Sequence, residues 1–226
     1  MQHHAYSRPA PGPGSAVVFD CDGVLLTTER AWDLAYEELF AQHGAEITPD
    51  QRASLMGLDM ESVGLVLATL LRSHAAAATL ASRALRLMND RLEEVIAPMP
   101  GAVELVAELG GTRPLAVASN APTALVRSHL RRFFDLADLV IVGGDMVRAP
   151  KPRPDIYLAA CQGLDVSPVE AWALEDSVTG ATAAMAAGLY VAGVPSSATS
   201  TLPCHLPVQS LGDPRLLQAL CGQARD

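Results

Sequence analysis

The chain has 226 residues, half of them hydrophobic and only 4% aromatic, so its core must be filled by Leu, Val and Ala rather than by large rings. Sixteen basic against 25 acidic residues leave a net charge of −9, which excludes non-specific binding to nucleic acid or anionic membranes but not a small anionic substrate held at a local site. Four scattered cysteines lack metal or disulfide spacing, and no run approaches the ~20 apolar residues that span a bilayer, so a reduced, cytoplasmic protein is expected.

In chain order, residues 1–15, rich in Pro, Gly and Ala and without a signal-peptide core, predict a loose tail. The apolar run Ala16–Asp20 predicts a strand that closes on Asp20-Cys21-Asp22-Gly23. Helical stripes follow: Trp32, Ala35, Tyr36, Leu39 and Phe40; Val63, Val66, Leu67, Leu70 and Leu71; then Leu85, Met88, Leu92, Val95 and Ile96. Thr48-Pro49-Asp50-Gln51 has the form of a capping box that starts a short helix. Roughly 80 residues thus separate the first strand from the next helix of the sheet pattern, far more than an ordinary connection. We read 31–96 as an inserted helical module, with Pro98, Pro100 and Gly101 marking the return and the remaining 16–30 and 97–226 forming one α/β core.

Beyond the insert, helices at Ala102–Leu109, Pro122–Arg132, Pro154–Gln162 and Val178–Ala187 alternate with strands at Pro114–Ser119, Asp138–Gly144, Ala171–Asp176 and Tyr190–Pro195. Ser167-Pro168-Val169-Glu170 has capping-box form and predicts a short helical turn before the fourth strand. Near-continuous apolar strands alternating with helices imply a parallel sheet covered on both faces. In such a sheet ligands bind beyond the carboxyl ends of the strands. That rule brings Asp20, Ser119, Asp176 and the loop carrying Lys151 to one rim, from which the helical module also departs. Two aspartates one residue apart repel each other, and the crowding makes sense where a cation neutralises one and the other handles a proton.

These four stations, FDCDGVL, ASN, KPRPD and EDSVTGATAAMAAG, resemble the ordered motifs of the haloacid dehalogenase (HAD) superfamily. With the helical insert after the first motif, they resemble its β-phosphoglucomutase-like branch with a helical cap. The resemblance implies a HAD-like Rossmannoid α/β core with an inserted α-helical cap, and it covers nearly the whole chain from Val17 to about Pro195. It implies Asp20 as the nucleophile that forms an aspartyl-phosphate, Asp22 as general acid and then base, and Lys151 as the group that offsets charge between phosphate and Asp20. Gly23, Ser119, Asn120 and Lys151 would hold phosphate. Mg²⁺ would lie on Asp20, the Asp22 carbonyl and Asp176, with Glu175 supporting it directly or through water.

Within the branch, β-phosphoglucomutases carry a histidine where this chain has Trp32, and an arginine near the substrate loop, where Leu55–Met60 offers no cation. Both departures favour a phosphatase that passes the phosphoryl group to water. A sugar phosphomutase and a catalytically silent HAD scaffold stay as alternatives, whereas Asp22 and the Glu175-Asp176 pair weigh against a dehalogenase. Trp32, Tyr36, Gly57 and Leu58 are candidate cap contacts with substrate, although Trp32 and Tyr36 also suit simple packing. The expected partner is a small phosphorylated metabolite, such as a sugar, polyol or hydroxy-acid phosphate. Oligomeric state is left open. Hinges are expected near Thr27–Arg30 and Ala97–Gly101.

Overall fold

A computed structural model describes residues 8–55, 58, 60–194 and 202–222. The chain divides into two units, Met1–Thr27 with Pro98–Asp226, and Thr28–Ala97.

The first unit is built on β1 (Ala16–Asp20), in which all five residues are buried. Short strands β2 (Leu26–Thr27) and β3 (Ala97–Pro98) pair separately. The main sheet adds β4 (Leu115–Ser119), β5 (Leu139–Gly143), β6 (Ala171–Glu175), β7 (Tyr190–Gly193) and β8 (Leu206–Pro207) in the order β5-β4-β1-β6-β7-β8. Every pair in it is parallel, as continuous apolar runs require when both faces are covered. In the register Asp20 lies beside Ala118 and Phe19 beside Leu174. The carboxyl ends of the three central strands are therefore level within a residue, and Asp20, Ser119 and Glu175 emerge at one edge.

Helices of this unit, numbered with those of the insert in chain order, are α5 (Ala102–Leu109), α6 (Thr123–Leu130), α7 (Asp155–Gly163), α8 (Val178–Ala187) and α9 (Pro214–Cys221). Helix α8 buries Gly180, Ala181, Ala183, Ala184 and Ala187. Side chains that small bring its backbone close to the sheet, which matters for the site below. Ala160 and Cys161 of α7 join Val18, Ala116 and Ala173 in the same cluster.

The helical unit comprises α1 (Glu29–Gln42), α2 (Pro49–Ala53), α3 (Met60–Leu70) and α4 (Ala77–Val95). Its core gathers Tyr36, Leu39, Phe40, Leu55, Val63, Leu67, Leu80 and Ala84. At Gly64 a Cβ would fall 2.3 Å from the Ala77 carbonyl oxygen, so α3 and the start of α4 touch backbone to backbone. The Thr48 capping box forms in full, and Arg52 of α2 reaches Asp33 at 2.5 Å and Glu37 at 3.0 Å on α1.

Four local expectations change. The α4 stripe runs through Leu80, Ala81, Ala84, Met88 and Leu92, while Leu85 turns outward. The Ser167 segment is a 3-10 turn over Pro168–Glu170 without a side-chain cap, because the Glu170 N–H is taken by the Ser167 carbonyl at 2.9 Å. Strand β6 stops at Glu175 and leaves Asp176 just beyond it. Of the segment expected to be a loose tail, Arg8 is placed, donating from Nη1 to the Gly188 carbonyl at 2.9 Å and lying over the Tyr190 ring. Among the described residues no helix is long and apolar enough to cross a membrane.

Candidate active site

Asp20 ends β1 with a buried carboxylate. The chain then turns through Gly23, whose φ of +88° disfavours any side chain and whose missing Cβ would sit 1.9 Å from Asp176 Oδ2. The turn closes as Gly23 N–H donates to the Leu26 carbonyl at 2.7 Å. Asp22 is exposed between these two anchors, while Cys21 points inward.

Lys151 arrives from the loop after β5 with its ammonium buried. It donates to Asp20 Oδ1 and, at 2.6 Å, to Glu175 Oε1. Glu175 is wholly buried at the end of β6. Its Oε1 also accepts the Tyr157 hydroxyl at 2.5 Å, and its Oε2 accepts Ser177 Oγ at 3.1 Å and Ser177 N–H at 3.3 Å. Ser177 in turn caps α8 by accepting Gly180 N–H at 3.0 Å. A Cβ on Gly180 would fall 1.8 Å from Glu175 Oε1, so the carboxylate occupies the place of a side chain on the helix.

The charges do not balance. Asp20, Asp22, Glu175 and Asp176 confront a single buried ammonium. Burial pushes the Asp20 carboxyl well above the usual range, and Glu175, Asp176 and Asp22 add to the rise against the pull of Lys151. Burial works to lower the Lys151 pKa, yet Asp20, Tyr157 and Glu175 more than offset it and hold the ammonium protonated. Although the Asp22 side chain is open to solvent, desolvation by the surrounding site raises its carboxyl, with Lys151 and His129 opposing. Cys21 is pushed up by burial and both flanking aspartates, which disfavours a thiolate nucleophile.

Carboxylate oxygens of Asp20, Glu175 and Asp176 lie within 4.8 Å of one another. An excess of hard oxygen donors around one lysine suits a divalent cation. The Asp22 carboxylate is not part of this trio.

The structure therefore brings Asp20, Asp22, Gly23, Lys151, Glu175 and Asp176 together. Ser119 is buried beside them, its Oγ accepting Ala121 N–H at 3.2 Å. Asn120 instead turns its carboxamide to the Lys151 backbone. In the helical unit Trp32 stacks on Tyr36 with centroids 5.5 Å apart. Tyr36 belongs to that unit's own core, where burial raises its phenol pKa to about 12. Leu58 is exposed, and Gly57 lies outside the described residues. Sequence reasoning passed over Tyr157, which looks like one more large residue of an amphipathic helix. The available signal was a polar tip on the stripe of Ile156, Ala160 and Cys161, all buried against the sheet.

A family profile described as haloacid dehalogenase-like hydrolase matches residues 15–188. The chain belongs to this family of hydrolases. It is 33% identical over 181 residues to the phosphorylated carbohydrates phosphatase of Thermotoga maritima, covering 77% of this chain and 82% of the relative. It is 27% identical over 180 residues to the fructose-1-phosphate phosphatase YqaB of Escherichia coli, covering 77% and 93%. Among solved structures, mutant CbbY of Rhodobacter sphaeroides in complex with xylulose-1,5-bisphosphate superposes with a TM-score of 0.64 at 31% identity, covering 91% of this chain and 98% of that one.

Proposed function

We propose that the protein is a Mg²⁺-dependent phosphatase that hydrolyses a small phosphomonoester, a sugar, polyol or hydroxy-acid phosphate, through an aspartyl-phosphate on Asp20. The observation that carries this reading is the buried Asp20 carboxylate, bonded to Lys151 and grouped with Glu175 and Asp176, whose oxygens lie within 4.8 Å of one another. Phosphatase relatives that act on phosphorylated carbohydrates support it.

In the first half-reaction an Asp20 oxygen attacks phosphorus and the ester P–O bond breaks. Asp22 gives its proton to the departing alkoxide. In the second, Asp22 takes a proton from water as the water oxygen attacks phosphorus, and the Asp20–phosphorus bond breaks to release phosphate and restore Asp20. Lys151 offsets charge between Asp20 and the phosphoryl oxygens, while the Ser119 hydroxyl and the Asn120 backbone N–H would hold the phosphate; the Gly23 N–H, expected to join them, is committed to the Leu26 carbonyl at 2.7 Å. Mg²⁺ would be held by Asp20, Asp176 and the Asp22 carbonyl, with Glu175 behind them, and would supply charge neutralisation at the phosphoryl oxygens. Water is the acceptor in this reading because Trp32 stands where the related mutases carry a histidine.

The test is phosphate release from a panel of phosphomonoesters with Mg²⁺, beside Asp20→Asn and a chelator. Release abolished by both controls is expected, with a small sugar or polyol phosphate as the best substrate. Isomerisation of β-glucose 1-phosphate without net release would replace this reading with the mutase. A folded protein inactive in both assays would leave the binding scaffold.

A further inference from the structure

Both polar groups of the Lys151 main chain are taken by one side chain. Asn120 Oδ1 accepts Lys151 N–H at 2.9 Å, and Asn120 Nδ2 donates to the Lys151 carbonyl at 3.3 Å. The loop around Lys151 is stiffened by Pro150, Pro152 and Pro154 and closed by Arg153 N–H donating to the Pro150 carbonyl at 3.0 Å, but the prolines leave it few backbone donors with which to join the rest of the site. Asn120, by contrast, stands on a turn that is clamped in place. A Cβ on Gly144 would lie 2.4 Å from the Asn120 carbonyl oxygen, and Gly144 N–H donates to the Ala121 carbonyl at 3.0 Å. Thr123 donates both its N–H and its hydroxyl to Asp145 Oδ1 at 2.7 Å, while its hydroxyl accepts Gly143 N–H at 3.1 Å. The exits of β4 and β5 are thereby joined, and Asn120 reaches from that joint to the lysine.

Lys151 is consequently held at two points, its ammonium by Asp20 and Glu175 and its backbone by Asn120. We propose that Asn120 is a positioning residue whose carboxamide acts on the reaction through Lys151 and not by its own contact with phosphate. The proposal rests on the phosphatase reading of the site. A small displacement of a catalytic group costs far more rate than stability, which makes this clamp visible to kinetics.

The experiment is a double-mutant cycle of Asn120→Ala and Lys151→Ala, read by the dissociation constant of inorganic phosphate, with kcat and KM for an aryl phosphate and Tm alongside. Asn120→Ala alone is expected to lower kcat/KM by about 10- to 100-fold and to weaken phosphate binding by about 10-fold. In the Lys151→Ala background its effect on phosphate binding should shrink to less than about 3-fold, the mark of two coupled residues. Asn120→Asp keeps the acceptor for Lys151 N–H and should recover part of the loss. Equal losses in both backgrounds would overturn the proposal. Hydrogen exchange at the Lys151 amide gives a second reading, with faster exchange expected in Asn120→Ala and unchanged protection counting against the clamp. Failure of the phosphatase reading is recognised separately, by a wild type that neither hydrolyses esters nor binds phosphate. The exchange measurement still decides the clamp in that event.

Discussion

The Tyr157 hydroxyl and the Glu175 carboxylate meet at 2.5 Å in the interior of the core unit, both fully withdrawn from solvent. With Lys151 on the same oxygen and Ser177 twice on the other, Glu175 accepts four hydrogen bonds, the full capacity of a carboxylate. Glu175 thus fastens the lysine, α7 and the start of α8 to the end of β6. Tyr157→Phe removes one donor and keeps the ring, 5.0 Å below the Lys151 ammonium. It should destabilise the fold by about 1–3 kcal/mol, measured by urea unfolding. A smaller loss would mean that water replaces the hydroxyl.

Lys151→Met retains the buried stem but leaves Asp20 and Glu175 facing each other without a counter-charge. Breaking a buried pair in this way costs about 3–5 kcal/mol, and phosphate release should fall with it. Because the vacated charge resembles what a cation supplies, Mg²⁺ should raise the Tm of this variant more than that of the wild type. Equal increments would separate the lysine from the metal site.

Wild-type Tm should rise with Mg²⁺ and return with chelator, by about 2.7 kcal/mol of stability at a hundredfold excess over Kd. Gly23→Ala should remove most of that increment, since its Cβ would collide with Asp176 Oδ2 and its φ of +88° is unfavourable to alanine. A full increment in the variant would place the cation elsewhere.

At the far end of the chain, Asp213 caps α9, accepting Arg215 N–H at 2.9 Å. The Arg215 side chain, helped by the Gln209 and Arg215 N–H groups, lowers its pKa from 3.8 to about 2. A carboxyl depressed on folding contributes stability above its unfolded pKa and loses it as pH falls through the folded one. Asp213→Ala should therefore cost about 1 kcal/mol at neutral pH. The difference from wild type should narrow as pH drops from about 4 toward 2, followed by thermal melts across that range. A constant difference would assign the loss to packing alone.

The sheet is legible because its strands are uninterrupted apolar runs, Asp20 and the Glu175-Asp176 pair because acidic residues at the ends of such runs have few structural uses, and Lys151 through the KPRPD motif in the loop beyond β5. Tyr157 was hidden by helical periodicity, which treats a buried phenol as a hydrophobe. The bond of the Asn120 carboxamide to the Lys151 backbone escapes motif reading, because spacing gives a residue's place on the rim but not the direction of its side chain. Leu85 was assigned to the wrong face of α4 because Leu80, Ala81 and Ala84 include small residues that a search for large apolar ones passes over. Helix α9 carried its own signals, Asp213-Pro214 at one end and Gly222 at the other, but its short stripe stood apart from the βα alternation that organised the rest.

Lys151 and Asp20 touch across 131 positions of sequence, and Glu175, which completes the junction, lies still later in the chain. During synthesis the amino-terminal strand is made long before its partners exist. A ribosome-bound fragment ending before β6 carries Asp20 and Lys151 but not Glu175, the second carboxylate on the lysine. The junction therefore cannot close until β6 has been made, whatever the order in which the earlier strands pair.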